Sequence, residues 1–251
     1  MSWLGGLRVS LGRLVSIVVL PAIILSLLPL SLERRLVLGP RLARIWGRMM
    51  LAFCGIRLRL TPAARDVLEN RAPRVLTLNH SSTLDLFAGG AFYPEGCVTI
   101  AKAELRKVPL LGPATVLLGM VYIDRSDAGS ARASLHAAAA RVVAERLVVL
   151  ISPEGTRNKT PGLLPFKTGA FELAAAAGVP VVPLVWHGCR ELWPMGAVGP
   201  WPGEVVVDAL EPLTVDKDAD RAALRAVADR LRERYEVALA AGPPTRGRAL
   251  F

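Results

Sequence analysis

Residues 74–85 read Arg-Val-Leu-Thr-Leu-Asn-His-Ser-Ser-Thr-Leu-Asp, an apolar run that passes directly into a polar turn. The first five residues predict a short buried β-strand, and a helical pattern follows the turn at 82–92. A second apolar run at 147–151 passes in the same way into Ser-Pro-Glu-Gly-Thr-Arg. Strands that alternate with turns and helices along a chain indicate an α/β fold.

The rest of the chain continues this alternation. Further strands are predicted at 98–100, 121–123, 179–185 and 205–210, and further helices at 130–146, 169–177 and 219–239. We therefore predict an α/β domain over residues 59–241, with a central, mostly parallel or mixed sheet flanked by helices. Residues 242–251 are predicted to be a loose tail.

The composition restricts the class of protein. The chain has 251 residues, of which 52% are hydrophobic and 21% charged, and this excludes a disordered or collagen-like protein. Its three cysteines form no CxxC pair, so we expect neither a disulfide framework nor a metal site. Residues 1–125 hold 16 basic and 7 acidic side chains and should attract phosphate. No nucleic-acid recognition motif accompanies this charge, and a nucleic-acid partner is not expected.

An uncharged apolar segment near the start of the chain predicts contact with a membrane. Residues 14–32 are 19 residues without a charge, close to the length of about 20 that a spanning helix needs. Pro21 and Pro29 interrupt the segment, and a proline inside a helix kinks it. The segment ends in Leu-Glu-Arg-Arg without a small-residue cleavage site, which favours a retained anchor over a signal peptide.

A second segment, at 40–53, has the pattern of an amphipathic helix, with Pro40 expected in its first turn. One face carries the apolar residues Leu42, Ile45, Trp46, Met49 and Phe53. The basic residues Arg41, Arg44 and Arg48 lie mostly on another face. Such a helix is typical of one that lies in the lipid headgroup layer, and a core helix of the soluble domain is the alternative. We predict that residues 1–58 form an N-terminal membrane-embedded helical element.

The charge beside the apolar segment predicts its orientation. Residues 33–78 carry ten arginines and three acidic residues, and basic flanks face the cytoplasm. The protein is therefore expected at the cytoplasmic face of the cell membrane. One transmembrane helix and one re-entrant helix fit the sequence equally well.

His80 lies in the turn after the first predicted strand, and Asp85 follows at the start of a helix. In this placement the Asp85 carboxylate can accept a hydrogen bond from Nδ1–H of His80 and leave Nε2 free as a base. Such a pair can remove a proton from a hydroxyl group without a serine nucleophile. A serine-capped helix beside a surface histidine is the plainer interpretation of the motif taken alone.

The second polar turn, at 152–157, is a candidate phosphate site. Gly155 allows close backbone approach, and Thr156 and Arg157 supply donors at the carboxyl end of a strand, where ligands of open α/β sheets bind. The guanidinium of arginine suits phosphate, and Glu154 could orient Arg157 or bind a substrate hydroxyl. A Pro-Glu-Gly turn with a solvated arginine is the alternative.

Two further cations follow predicted strands. Arg125 comes after the strand at 121–123 and is a candidate second phosphate contact, with a surface salt bridge as the alternative. Lys102 comes after the strand at 98–100 and is a weaker candidate of the same kind.

Taken together, four segments resemble the sequence blocks of the glycerolipid acyltransferase family, typified by bacterial 1-acyl-sn-glycerol-3-phosphate (lysophosphatidate) acyltransferases of the HxxxxD type. They are NHSSTLD at 79–85, GMVYIDR at 119–125, SPEGTRN at 152–158 with FKTGAF at 166–171, and VPVVPLV at 179–185. Four blocks in order are far more specific than any one of them.

The resemblance implies that His80 is the general base and that Asp85 is its partner. It implies an acceptor-phosphate site of Glu154, Gly155, Thr156, Arg157 and Arg125, with Lys102 and Lys167 as supporting cations. The implied reaction moves a fatty acyl group from acyl-CoA or acyl carrier protein to the sn-2 hydroxyl of a lysophospholipid acceptor, 1-acyl-glycerol-3-phosphate, at the bilayer. The product is phosphatidic acid. The thioester carrier is a co-substrate, and no cofactor is expected.

Three alternative functions stay open. The same chemistry could serve another lysolipid, such as lyso-ornithine lipid or lysophosphatidylglycerol. Water in place of the lipid hydroxyl would make the protein a thioesterase. A non-catalytic protein that binds anionic lipid through basic helices is the third possibility.

Overall fold

The computed structural model describes residues 3–123, 128–244 and 248–249. Its strands are β1 Ile56–Leu60, β2 Arg74–Leu78, β3 Cys97–Lys102, β4 Val121–Ile123, β5 Val148–Ile151, β6 Val181–His187, β7 Gly203–Ala209 and β8 Arg248–Ala249. Its α-helices are α1 Trp3–Leu27, α2 Leu32–Cys54, α3 Pro62–Glu69, α4 Leu84–Phe92, α5 Leu111–Leu117, α6 Ala128–Ala144, α7 Gly169–Ala177, α8 Cys189–Leu192 and α9 Arg221–Ala241. A 3₁₀ helix at Ala103–Lys107 precedes α5.

The strands form one sheet in the order β4-β3-β5-β2-β6-β7-β1-β8. The first five strands in this order pair in parallel, and β6 and β7 then pair antiparallel. β1 is parallel to β7 and antiparallel to β8. The predicted α/β fold with a mostly parallel, mixed sheet is confirmed, and the strands predicted at 74–78 and 121–123 match β2 and β4 residue for residue.

The sheet includes residues from the predicted membrane element and from the predicted tail. Residue 58 lies inside β1, so the end of the predicted membrane element belongs to the sheet. Residues 248 and 249, inside the predicted tail, form β8 beside β1. The division into domains stays a prediction.

Each face of the sheet buries its own apolar cluster. One cluster joins the sheet to α2, α3 and α4 through side chains that include Leu76, Leu150 and Trp186. The other joins it to α6, α7 and α9 and includes Phe171 and Tyr235. The carboxyl ends of β2, β3, β5 and β6 share one edge, and the two polar turns begin there.

The second N-terminal helix begins earlier than the sequence predicts. α2 begins at Leu32, and Pro40 lies inside it and not in its first turn, so that prediction was wrong. A proline in a helix leaves the carbonyl four residues earlier without its helical donor. Here the Leu36 carbonyl accepts from the Gly96 backbone N–H at 2.9 Å, which compensates for the loss.

The contacts of α2 are with protein along much of its length. Arg44 donates to the Tyr93 carbonyl at 2.7 Å and Arg48 donates to the Ala91 carbonyl at 3.3 Å. Trp46 is buried in the cluster between α2 and the sheet. In these contacts α2 matches the core-helix alternative, and the exposed apolar surface of the N-terminal element lies mainly on α1.

Candidate active site

The polar turn after β2 brings His80 and Asp85 into contact. The His80 Nδ1 atom lies 2.7 Å from Asp85 Oδ2, because α4 begins at Leu84 and carries Asp85 in its first turn. The Asp85 side chain is 2% exposed and that of His80 is 31% exposed. A buried carboxylate thus contacts a histidine that substrate can reach.

The hydrogen bonds of Asp85 decide which nitrogen of His80 carries the proton. Asp85 Oδ2 also accepts from the backbone N–H groups of Ser81 at 2.8 Å and Ser82 at 2.9 Å. An ionised carboxylate accepts only, so the Nδ1 atom of His80 donates. Nε2 has no hydrogen-bond partner among the residues that the structure describes, and it is free to act as a base.

The main chain of His80 is held on both sides by the second polar turn. The His80 N–H donates to Glu154 Oε1 at 2.8 Å, and the His80 carbonyl accepts from the Asn158 N–H at 3.0 Å. The other carboxylate oxygen of Glu154 accepts from the Leu164 N–H at 2.9 Å. Glu154 is 2% exposed, and burial, partly offset by these two hydrogen bonds, raises the pKa of its carboxyl group. Glu154 therefore fixes the position of the turn between β2 and α4, residues 79–83, called the histidine turn below. Glu154 makes no hydrogen bond to Arg157 in the described residues.

Replacement of Glu154 by glutamine tests this positioning role. Both carboxylate oxygens accept from backbone N–H groups, so the amide nitrogen of glutamine would face one of these donors. A buried donor without an acceptor costs about 1–3 kcal/mol. We expect Glu154→Gln to lower both the unfolding midpoint and kcat, with the exposed Glu69→Gln change as the control. Unchanged stability and turnover in Glu154→Gln would contradict the role.

Arg157 and Gly155 lie close to the histidine turn. Arg157 is exposed, and its guanidinium donates to Thr83 Oγ1, just before α4, at 3.1 Å. Gly155 has φ of +72°, and a Cβ there would lie 3.1 Å from Lys167 Nζ. Glycine is favoured in this backbone conformation, and its lack of a side chain lets the Lys167 side chain pack against the turn. Thr156, between them, is exposed.

A cavity of about 630 Å³ is lined by His80 together with residues from the sheet and the N-terminal helices. The sheet contributes Leu78, Leu150 and Trp186, and α2 and α1 contribute Trp46 and Ile23. Arg157 also lines the cavity. The lining thus combines polar and charged groups with a larger apolar surface, as a molecule with a charged head and a hydrocarbon chain requires.

Comparison with known proteins agrees with this geometry. The sequence model of the Acyltransferase family matches residues 60–187, from the end of β1 to the end of β6. The chain belongs to the Acyltransferase family. The match includes His80, Asp85 and the whole of the second polar turn.

Similar Acyltransferase relatives come from plants and animals. A 1-acyl-sn-glycerol-3-phosphate acyltransferase of Cocos nucifera is 34% identical over 206 residues, which are 82% of this chain and 65% of the relative. The human 1-acyl-sn-glycerol-3-phosphate acyltransferase beta is 37% identical over 161 residues, 64% of this chain and 57% of the relative. The chain thus spans about three fifths of the length of these relatives.

A solved structure shares the fold. The crystal structure of the 1-acyl-sn-glycerophosphate (LPA) acyltransferase PlsC from Thermotoga maritima superposes with a TM-score of 0.67. It covers 82% of this chain and 81% of that chain at 23% sequence identity.

Not every residue implied by the family resemblance falls in the described part of the chain. Arg125 lies outside the described residues, and so does the side chain of Lys102, whose backbone ends β3. The structure brings together Arg157, Gly155 and Lys167 beside the histidine turn.

Two asparagines that sequence reasoning left without a role also build the Acyltransferase site. The Asn79 side chain accepts from the Trp186 N–H at 2.8 Å and donates to the Trp186 carbonyl at 2.9 Å, which ties the end of β2 to β6. The buried Asn158 closes its own turn by accepting from the Thr160 N–H at 2.9 Å. A polar residue directly after a buried strand was the sequence signal for Asn79.

Proposed function

We propose that this protein transfers a fatty acyl group from a thioester carrier to the free sn-2 hydroxyl of 1-acyl-glycerol-3-phosphate, giving phosphatidic acid. The observation that carries the proposal is the buried Asp85 bonded to Nδ1 of His80, which lines the cavity and whose Nε2 has no hydrogen-bond partner in the described residues. Family membership and the names of similar proteins support the same reaction class. Acyl-CoA and acyl carrier protein are the proposed carriers, and no further cofactor enters the reaction.

The proposed reaction uses His80 twice. Nε2 takes the proton of the acceptor hydroxyl while that oxygen attacks the thioester carbonyl carbon. Asp85 stabilises the imidazolium that results, at a distance of 2.7 Å. The C–S bond then breaks as the ester C–O bond is completed, and the leaving thiolate receives the proton from Nε2.

The cavity is the proposed site of the acyl chain, and the cations are the proposed site of the acceptor phosphate. The acyl chain fits the apolar interior between the sheet and α4, whose lining includes Leu78 and Leu150. The acceptor phosphate is proposed to bind beside Arg157 and Lys167, whose side chain packs against Gly155 in the same turn as Arg157. Holding the phosphate there directs the acceptor hydroxyl toward His80. Part of the binding free energy then offsets the entropy cost of bringing the reacting groups together.

Membrane contact is proposed through α1, at the cytoplasmic face. This helix is 25 residues long and apolar enough to cross a bilayer by length and composition. Yet both of its ends rest on the domain, since Gly5 touches Gly199 and Leu27 is fully buried in the apolar cluster that includes sheet residues. These contacts favour a helix that lies in one leaflet over one that crosses, because crossing would draw the domain into the hydrocarbon.

A thioester-consumption assay tests the function directly. Purified protein in detergent is given acyl-CoA or acyl carrier protein thioester, with and without lysophosphatidate, and thiol release is followed. Acceptor-dependent release is the expected result. Release without an acceptor would indicate a thioesterase, and release only with lysophosphatidylglycerol or lyso-ornithine lipid would change the acceptor.

Arg157→Ala is expected to raise the KM for lysophosphatidate about 10- to 100-fold, the value of a charge-assisted hydrogen bond to an anion. The effect on kcat should be smaller than the effect on KM, because in the described residues Arg157 bonds to the histidine turn through Thr83 Oγ1 and makes no hydrogen bond to His80 or Asp85. Arg230→Ala on the exposed side of α9 is the matched control. An unchanged KM in Arg157→Ala would remove Arg157 from the phosphate site.

A further inference from the structure

The loop between α8 and β7 is unusually apolar for a surface loop. Residues 193–202 read Trp-Pro-Met-Gly-Ala-Val-Gly-Pro-Trp-Pro and contain no charge. Two of its large side chains face outward, since Val198 is 61% exposed and Trp201 is 41% exposed. Loops on a protein surface normally present polar groups to water.

Internal hydrogen bonds fix the shape of this loop. The indole N–H of Trp193 donates to the Ala197 carbonyl at 3.1 Å. The Trp201 N–H donates to the Leu192 carbonyl at 2.9 Å and closes the loop at its base. Val198 and Trp201 are therefore presented by an ordered scaffold.

The loop touches the first turn of α1, backbone against backbone. A Cβ on Gly199 would lie 2.5 Å from the Gly5 carbonyl carbon, and a Cβ on Gly6 would lie 2.9 Å from Val198 Cγ1. Only glycines permit this approach. Trp3 and Leu7, on the same first turns of α1, are 73% and 60% exposed. The loop thus continues the exposed apolar surface of α1.

We propose that the 193–202 loop is a further membrane-contacting element, which inserts Val198 and Trp201 into the leaflet that holds α1. The inference rests on the membrane contact of the proposed function and adds a second part of the chain to it. Tryptophan favours the membrane–water interface, where its ring is buried and its N–H stays hydrated. Exposed Arg8 approaches Gly55 beside Pro202, at the base of the loop, where a lipid phosphate would lie.

The loop is joined to the candidate active site. Ser82 Oγ, in the histidine turn, donates to the Trp193 carbonyl at 2.7 Å. The rings of Trp193 and Phe87 on α4 lie 6.3 Å apart. Insertion of the loop would hold the histidine turn at the depth of the lipid acceptor.

Vesicle binding of the full chain tests the proposal. Vesicles contain phosphatidylcholine and phosphatidylglycerol, and binding is measured by sedimentation for wild type and for Val198→Ser/Trp201→Ser. We expect the affinity of the double variant for the vesicles to be lower by a factor of about ten or more, because less apolar area enters the bilayer. The matched control is Val143→Ser/Val237→Ser, which changes two exposed valines on α6 and α9 and should bind as wild type does.

Fluorescence gives a second readout that does not depend on affinity. In a Trp3→Phe background, Trp201 is the exposed tryptophan that remains, since Trp46, Trp186 and Trp193 are buried. Lipids brominated on the acyl chain should quench its emission, and Trp201→Phe in that background should remove the quenching.

Three outcomes separate this inference from the proposed function. If wild type binds vesicles but the loop variants bind equally well and no quenching occurs, the loop inference is overturned and α1 alone makes the contact. If wild type does not bind vesicles, membrane contact itself fails, while acyl transfer in detergent still reports on the reaction. Vesicle-independent self-association that the loop variants abolish would assign the surface to a second copy of the chain, and would also overturn the inference.

Discussion

Replacement of His80 by alanine is expected to lower the rate of acyl transfer by about 10²–10⁴-fold, the usual contribution of a positioned general base. The physical reason is that His80 lines the cavity and its Nε2 has no hydrogen-bond partner in the described residues. Without the imidazole, the acceptor hydroxyl must lose its proton to water. The measurement is kcat in the thioester-consumption assay at saturating lysophosphatidate.

The fold should survive this change, because the hydrogen bonds that hold the turn involve the His80 main chain. Glu154 and Asn158 bind the N–H and carbonyl of residue 80 whatever its side chain. His136→Ala, on the exposed side of α6, is the matched control and should leave kcat unchanged. An alanine variant at position 80 that turns over at the wild-type rate would exclude His80 as the base.

The buried sheet could be predicted because its central strands are continuous apolar runs. β2 and β5 have every residue buried, so each stands out from the polar turns around it. β1 was missed because it reads Ile-Arg-Leu-Arg-Leu, with only alternate residues fully buried near the edge of the sheet. A five-residue pattern of that kind beside a long arginine-rich helix gives a weak signal.

The contact between His80 and Asp85 could be predicted from their placement, with His80 in a turn after a strand and Asp85 at the start of a helix, whereas the role of Glu154 could not. Its partners are backbone N–H groups of His80 and Leu164, and a backbone donor leaves no trace in the sequence. A carboxylate three residues before an arginine looks like an ion pair or a ligand contact. In the structure both oxygens of the buried Glu154 accept from backbone N–H groups, and Glu154 forms no ion pair with Arg157 in the described residues.

The apolar cavity also could not be predicted, because it is assembled from distant parts of the chain. Its lining joins Ile23 and Trp46 of the N-terminal helices to Trp186 of β6. Gly89 on α4 lets the Trp186 ring pack closely against the helix, since a Cβ there would lie 3.2 Å from Trp186 Cη2. Similarly, the arginines of α2 were read as headgroup contacts, and the structure turns Arg44 and Arg48 toward carbonyls of neighbouring protein.

Asp85→Asn is expected to lower kcat by about 10²–10³-fold while leaving the histidine turn in place. All three hydrogen bonds to Asp85 reach the same oxygen, Oδ2, and Oδ1 accepts none from the described residues. An asparagine can therefore put its carbonyl oxygen at the Oδ2 position and keep His80 in the same orientation. Its amide nitrogen then takes the Oδ1 position, near the buried thiol of Cys189, whose pKa is raised by burial and then by the Asp85 charge.

The variant thus removes the charge that stabilises the imidazolium and keeps the geometry. An opposite charge about 4 Å away is worth on the order of 4 kcal/mol near a protein surface, about a thousandfold in rate, and the neutral hydrogen bond retains part of it. Asp85→Ala is the comparison, because it also leaves the Ser81 and Ser82 N–H groups without an acceptor. Each such group costs about 1–3 kcal/mol, so the alanine variant should unfold at a lower temperature than the asparagine variant. Wild-type kcat in Asp85→Asn would mean that no charged imidazole forms at the slow step, and the proposed proton transfer to His80 would have to be abandoned.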